Sequence, residues 1–419
     1  MRLQSILRRL QPQPGFVYSR VEWVETRGRP ALHVQITPGR RAKPVCSGCG
    51  KKGPGYDTLS PPRLFAFVPL WGLLVYLVYS MRRVDCGRCG VTVEMVPWAT
   101  GKSQTTYAMM WFLASWAKVL SWAEVARRFY TSWDTVFRCV QHAVRWGLEH
   151  RSLDGIRSIG VDELAWKKGH KYLTLVYQID HGCRRLLWIG RDRTQQTFNA
   201  FFDMLGEARS KSIRFIASDM WKAFLSVVKR RASGAVHVLD RFHVIQLLNK
   251  AIDEVRRDEM RTLRKNGTPA TPSNTRWILL KNRSNLTSKQ RTHLRDLLRI
   301  NLRTVRAYLL KEHFQRFWKY ASARWAGRFL DDWTRMAMRS RIKPLQKFAR
   351  TLRAHRGLLL NWFRAREAFA KGAVEGFNNK ARITTRKAYG FRTYEHAEIA
   401  LYHALGDLPE PPWRTHKFY

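Results

Sequence analysis

The sequence predicts a multidomain α+β protein, and three observations carry that prediction. Two CxxCG knuckles, CSGCG from Cys46 and CGRCG from Cys86, bracket an apolar stretch near the N-terminus. In the middle of the chain, Trp- and Ala-rich helical periodicity gives way to three strand-like runs and then to strand and helix in alternation, the pattern of an α/β layer. A long basic helical stretch separates that layer from a short C-terminal block rich in Asn and Arg. The 419 residues leave room for about two to four domains. With 45% hydrophobic residues, 17 Trp and 21 Phe, they also suffice for real cores.

Charge narrows the partner. The chain holds 76 Lys and Arg against 31 Asp and Glu, a formal net charge of +45. Self-repulsion of that size is relieved by a polyanion, so nucleic acid is the expected partner and an anionic membrane surface the competitor. The core-forming composition excludes a disordered basic tail. Leu64 to Met81 is an uncharged run near the lower limit of a bilayer span. Pro69, Gly72 and the β-branched and aromatic residues of Val75 to Tyr79 favour two strands and a turn, so no membrane span is expected. The start, MRLQSILRRLQPQPGF, lacks the apolar stretch and cleavage site of a signal peptide. A cytoplasmic chain is therefore expected, and its six cysteines are not read as a disulfide framework.

Residues 1–98 read as N-terminal strands, over Phe16 to Glu25 and Ala31 to Ile36, followed by a zinc ribbon. Cys46, Cys49, Cys86 and Cys89 supply four thiolates, and the glycine after each pair lets the backbone turn beneath a metal. Tetrahedral structural Zn²⁺ takes that set. The strands between can form a hairpin that brings the knuckles together; four incidental buried thiols are the alternative. Cys139 and Cys183 read as small core hydrophobes. Residues 99–152 read as a helix-turn-helix: a helix around Ala123 to Arg128, a Tyr-Thr-Ser turn, and a second helix opened by Thr131 and Asp134 as an acidic variant of the capping box. Trp133, Val136, Phe137, Val140 and Val144 make its buried stripe. Thr135, Arg138, Gln141, His142 and Arg145 are left open to phosphates and base edges. An ordinary helical hairpin is the alternative.

Residues 153–260 carry the α/β layer. SIGVDELA, KYLTLVYQID and RRLLWIGRD predict three strands, TFNAFFDMLGEA a helix, IRFIASD a strand, WKAFLSVVKRRA a helix and VHVLD a strand. In the helix after VHVLD, Val244, Leu247, Leu248, Ala251, Ile252 and Val255 keep one buried face. Residues 261–366 read as a basic helical segment; between 276 and 366 there are 24 Lys and Arg against 4 acids. Trp277, Trp318, Trp325, Trp333 and Trp362 are interleaved there, tryptophans mostly inside and basic residues mostly outside. Residues 367–419 hold a helix around Glu375, a basic turn segment TTRKAYGFR and a closing helix from Tyr394 to Leu405.

In a chain so short of acids, a carboxylate at a strand end is informative. Asp162 ends SIGVD and Asp219 ends IRFIASD, while Glu375 lies in a helix with Asn378, Asn379 and Arg382 on nearby faces. Two Asp from neighbouring strands and one helical Glu are a ligand set for two Mg²⁺ ions, one to activate an attacking oxygen and one to stabilise a leaving oxygen. Taken singly, each is as well read as a surface or salt-bridged acid. Glu163, Asp180, Asp192 and Asp240 stay open on the same grounds, Asp240 as a partner of His237 or His243.

In order, the zinc ribbon, the helix-turn-helix, SIGVDE, SDMWKAF, VLDRFHV and VEGFNNKARITTRKAYGFR resemble the transposases of the bacterial ISL-three insertion-sequence family. The resemblance covers nearly the whole chain and is most specific in the last block. It implies a DDE transposase with a ribonuclease-H-like catalytic domain, an all-helical insertion between Asp219 and Glu375, and Asp162, Asp219 and Glu375 as the metal-binding triad. It further implies catalytic Mg²⁺, with Mn²⁺ able to substitute, and DNA as partner, both insertion-sequence ends and target. A homodimer or larger synaptic complex at the bacterial nucleoid is expected on the same ground. Arg382, Arg386 and Lys387 join the helix-turn-helix residues as expected DNA contacts. A non-catalytic DNA-binding regulator derived from a transposase, and another ribonuclease-H-like nuclease, are the alternatives.

Overall fold

The computed structural model describes residues 2–26, 28–167, 169, 171–266, 275–281, 283–298, 302–365 and 373–412. Helix α1 (Leu3–Leu10) leads into β1 (Phe16–Thr26), β2 (Arg29–Pro38), β3 (Gly55–Thr58), β4 (Arg63–Leu70), β5 (Leu73–Tyr79), β6 (Arg82–Cys86) and β7 (Gly90–Val93). The long apolar run is the β4–β5 hairpin. Trp71 and Gly72 form its turn with φ of 49° and 82°, the left-handed conformations that a two-residue hairpin loop requires. Among the described residues no helix is long and apolar enough to cross a membrane.

That hairpin does not join the knuckles, contrary to expectation. It enters a four-stranded sheet of order β1-β2-β5-β4, because Phe65, Phe67, Val75 and Leu77 find their core against Val34 and Ile36. The knuckles are joined by a separate three-stranded sheet, β3-β6-β7.

Three helices follow: α2 (Tyr107–Val119), α3 (Trp122–Arg128) and α4 (Trp133–His150). Ser121 and Glu124 form a full capping box at α3. The cap of α4 is Ser132, whose extended backbone lets its hydroxyl accept from the Thr135 N–H; the expected cap at Thr131 is corrected by one residue. Val136, Val140 and Val144 are buried as expected, joined by Cys139 and Ala143. Trp133 is instead 37% exposed and stacks on Phe137.

The α/β layer comprises β8 (Ser158–Lys167), β9 (Lys171–Ile179), β10 (Arg184–Arg191), α5 (Gln195–Leu205), α6 (Glu207–Ser212), β11 (Phe215–Ser218), α7 (Lys222–Arg231), β12 (Val236–Leu239) and α8 (Arg241–Lys265). Its sheet has the order β10-β9-β8-β11-β12. The first three strands form an antiparallel meander, and β11 and β12 run parallel to β8. Alternation sends Val161, Val176 and Leu187 to one face, under Phe198, Phe202 and Phe224. Leu175, Tyr177 and Leu186 pack on the other, with Phe377, Ala381 and Leu401. Both faces are therefore covered.

Helix α8 runs past the expected boundary at 260 and into a helical segment of α9 (Thr275–Leu280), α10 (Ser288–Leu298), α11 (Arg303–Phe314), α12 (Ala323–Arg339), α13 (Lys343–Ala354) and α14 (Arg356–Arg364). Val244, Leu248, Ala251, Ile252 and Val255 of α8 share a core with Phe314, Trp318, Trp333 and Phe348. Leu247, expected in that stripe, is 38% exposed. Trp325 is also exposed, and the Trp277 side chain lies outside the described residues. Two charges are buried here for structural reasons. Glu259 accepts from the N–H groups of Arg303 and Thr304 at the start of α11, and Lys311 donates to the carbonyls of Leu279, Leu280 and Lys281 at the end of α9. Each satisfies backbone groups that a helix end leaves unpaired and complements the helix dipole.

The C-terminal block is α15 (Ala373–Lys387) and α16 (Tyr394–Leu405). TTRK, expected in a turn, completes α15, where Thr384 and Thr385 donate back to the carbonyls four residues earlier. The turn begins only at Ala388, with Tyr389 and Gly390 at positive φ.

Candidate active site

Strand register brings the acids together. Ser158, Ile159 and Gly160 of β8 lie beside Phe215, Ile216 and Ala217 of β11, so two residues further along Asp162 and Asp219 are neighbours. Ser218 pairs with Leu239 of β12, which puts Asp240 beside Asp219. Asp219 and Asp240 directly follow the last residues of β11 and β12, whereas Asp162, expected to close a strand, lies in the middle of β8, which runs on to Lys167. Asp162 is buried at 4% exposure, and the other two are half-buried.

Asp162 is held from two sides. One carboxylate oxygen accepts from the Glu163 N–H at 2.7 Å, and the other accepts from the side-chain amide of Asn378 on α15. The amide oxygen of Asn378 accepts in turn from the Tyr177 hydroxyl at 3.2 Å. Tyr177 is fully buried and stacks on Phe377 with ring centroids 4.6 Å apart. The helix therefore lies directly on β8: a Cβ at Gly160 would come within 2.4 Å of Val374 Cγ2. Glu375 belongs to that helix, three residues before Asn378; its side chain lies outside the described residues.

His243, in the first turn of α8, links the outer acids. Its Nδ1 is 3.1 Å from Asp240 and its Nε2 3.8 Å from Asp162. Burial alone would lower its pKa, but the hydrogen bond to Asp240 and the charges of Asp162, Asp240 and Asp219 outweigh that and raise it to about 9. Burial pushes Asp162 up to about 6 against the pull of His243, and it raises Asp219 as well. Poorly solvated carboxylates at the rim of a sheet suit a hard divalent cation that takes its remaining ligands from substrate. The acids fit such an ion as an open site. Among the described residues, the group of three or more His, Cys, Asp or Glu ligand atoms that all lie within 4.8 Å of one another is the cysteine set.

That set is Cys46, Cys49, Cys86 and Cys89. The Sγ atoms of Cys49 and Cys86 are 3.6 Å apart, close to the ~3.8 Å that tetrahedral coordination with Zn–S bonds of about 2.3 Å requires. The Thr92 hydroxyl, followed by backbone N–H donors, pulls the Cys46 thiol down to about 6, which favours the metal-binding thiolate. The donors fit a tetrahedral, thiolate-binding metal. All six cysteines are free; Cys139 is buried, whereas Cys183 is half-exposed beside Gln178.

The expected DNA-contact residues divide. Helix α16 packs across part of the face of α4 that was expected to be open. Gln141 donates to Glu395 at 2.5 Å and Arg145 lies 3.6 Å from the same carboxylate, while His142 packs against Tyr107 and Trp111. Thr135 is half-buried with its hydroxyl on Ser132. Arg138 and Arg145 remain exposed. On α15, Arg382 and Arg386 are exposed, but the ammonium of Lys387 donates to the carbonyls of Ala117 and Lys118, both at 3.2 Å, and so caps α2. Gln141, His142 and Lys387 are thus corrected from open-face residues to packing ones: Gln141 and Lys387 meet segments some 250 to 270 residues away in sequence, and His142 meets the nearby helix α2. Sequence reasoning missed Tyr177 altogether, since a tyrosine in an apolar strand carries no signal. It quoted Asn378 without a role and left Asp240 and His243 open.

Comparison with known proteins places the chain. A family model described as transposase, for the DDE type of the ISL-three sequences, matches residues 159–401. The chain is 30% identical over 387 residues to the transposase for insertion sequence element IS1001 of Bordetella parapertussis, covering 91% of this chain and 93% of that relative. It is 30% identical over 396 residues to the transposase for insertion sequence element IS1557 of Mycobacterium tuberculosis, covering 88% and 87%.

Proposed function

This chain belongs to the ISL-three transposases, and from that premise we propose that it binds the terminal inverted repeats of an insertion sequence and cuts and joins DNA strands by a DDE mechanism. The observation that carries the reading is the placement of Asp162 beside Asp219 by the register of adjacent parallel strands, with the Glu375 helix anchored to Asp162 through Asn378. The strand order, third-second-first-fourth-fifth with an antiparallel meander, supports a ribonuclease-H-like catalytic domain. On this reading α9 to α14 are its helical insertion.

Asp162, Asp219 and Glu375 would hold two Mg²⁺, or Mn²⁺, which supply activation of the attacking oxygen and charge neutralisation at the leaving oxygen. The protein's own part is positioning. Asn378 fixes the Asp162 carboxylate and, through Tyr177, the height of α15 above the sheet. His243 balances the acids until substrate arrives, and Asp240 orients His243. Water cuts at the element ends, and the freed 3′-hydroxyls attack target phosphodiesters in line, with no covalent enzyme intermediate. The four cysteines hold a structural Zn²⁺, and the ribbon and helix-turn-helix recognise the ends. Arg138, Arg145, Arg382 and Arg386, with the basic helical segment, neutralise phosphates. Gln141 contributes only if Glu395 releases it, and Thr135 only if its hydroxyl leaves Ser132. A dimer or larger complex would hold two ends together at the nucleoid.

The test is strand cleavage and joining on DNA carrying the gene's own flanks, with Mg²⁺ or Mn²⁺, comparing wild type with Glu375→Gln. Release of 3′-hydroxyl ends at fixed flanking positions by wild type alone is the expected result. Binding of those flanks with no cutting by either protein would favour the non-catalytic regulator, and preference for branched DNA a different nuclease.

A further inference from the structure

Beside the aspartates stands a cluster that the triad does not use. The guanidinium of Arg193, two residues beyond β10, lies 4.1 Å from the Tyr172 ring centroid and 4.7 Å from that of Trp221. Trp221 connects it to the acids. Its backbone N–H donates to Asp219 at 3.0 Å, and its indole N–H donates to the Arg193 carbonyl at 3.2 Å. One nitrogen of Arg193, Nη1, serves both oxygens of Glu163 at 2.9 and 3.0 Å. Among the described residues, Nε and Nη2 meet no protein acceptor within hydrogen-bonding distance. The pair is half-buried, with side chains 33% and 24% exposed. Trp221 itself is 40% exposed.

We propose that Arg193 is a substrate-positioning residue whose free guanidinium edge binds a backbone phosphate of the DNA strand crossing Asp162 and Asp219, with Glu163 as the partner it leaves. This rests on the transposase reading above. The chemistry fits a phosphodiester. A planar guanidinium offers two parallel N–H donors to two phosphate oxygens, and the aromatic faces hold that plane before substrate arrives. The incoming phosphate gives the guanidinium a new anionic partner as Glu163, still partly exposed, returns to water.

The test measures binding of full-length protein to the flanking DNA without divalent metal, for wild type, Arg193→Ala, Arg193→Lys, Glu163→Gln and the Glu163→Gln/Arg193→Ala double variant. Single phosphates near the cut are replaced by neutral methylphosphonates. Arg193→Ala should weaken binding roughly ten-fold and reduce the slope of log affinity against log salt by about one. At one phosphate, the methylphosphonate should cost wild type about as much and cost Arg193→Ala nothing further. Arg193→Lys should keep the salt slope but lose part of that coupling. Glu163→Gln should tighten binding, and the gain should vanish when Arg193 is absent; a merely structural role predicts that both single variants weaken it. Additive effects at every phosphate, or a Glu163→Gln gain that survives without Arg193, would overturn the inference while leaving the transposase reading intact. Wild type that neither binds nor cuts the flanks would remove that reading, and this inference with it.

Discussion

At the scale of single residues the site is a problem in burying acids. Asp162 and Asp219 both have raised pKa values because the fold removes them from water, and His243 offsets part of that with a proton held to about 9. Asp219→Asn should abolish strand cleavage while leaving binding of the element ends nearly unchanged, measured by cutting and by mobility shift on the same DNA. Equal loss of both would contradict the site. A second buried histidine gives a pH prediction with a defined sign. His237 is pushed down to about 4 by burial, with His355 adding to the shift, and its Nε2 is 2.8 Å from the Ser218 hydroxyl. Below its ordinary value of 6.5 the unfolded chain takes a proton that the folded chain refuses, so the contribution of His237 to stability falls as pH drops from about 6.5 towards 4. The full effect is about 3 kcal/mol. Because the raised carboxyls of Asp162 and Asp219 act in the opposite sense over the same range in both proteins, the check is a comparison: thermal unfolding of His237→Asn should lose less stability, or gain more, than wild type as pH falls from about 6.5 to 4.

At the scale of elements, one helix decides whether the acids meet. Helix α15 rests on β8 at Gly160, where any side chain collides with Val374. Gly160→Ala should lift the helix and cut the cleavage rate by at least ten-fold, with end binding spared. Val374→Ala in the same chain should restore much of the rate, since it clears the methyl group that the new Cβ strikes. The basic residues of α15 should separate by job. Lys387→Met should lower stability by about 1 kcal/mol, because two carbonyls at the end of α2 lose their donor. Arg386→Ala should leave thermal unfolding unchanged and instead shallow the salt dependence of DNA binding.

At the scale of the whole molecule, a net charge of +45 sits on a chain whose cores lie in separate places. The cysteine knuckles form a small satellite of that arrangement. Chelation should release one metal per chain, unfold the two knuckles with the β3-β6-β7 sheet and abolish end recognition, while the α/β layer keeps its own unfolding transition in calorimetry; a single transition with and without metal would show that the ribbon is not an independent unit. Parts distant in sequence are tied together by contacts of the C-terminal block. Glu395 and His396 of α16 meet α4, and Lys387 meets α2.

Most of the strand and helix order, the β4–β5 hairpin and the cysteine set were legible in the sequence, because each depends on local periodicity or on a short spacing. The ends of β11 and β12 are visible as apolar runs closed by an acid, whereas SIGVD is no strand end because β8 continues through Lys167; two knuckles are visible as two glycine-backed cysteine pairs. The tertiary structure alone decided that Asn378 and Tyr177 hold Asp162, that Arg193 stands over Trp221 and Tyr172, and that Gln141, His142 and Lys387 are covered rather than open. Those contacts join residues up to 270 positions apart, where no sequence period reaches. What sets them is which faces must be covered: an apolar face exposed by one element selects its partner by shape and burial, and the polar groups nearby are then paired with whatever donors and acceptors that packing brings.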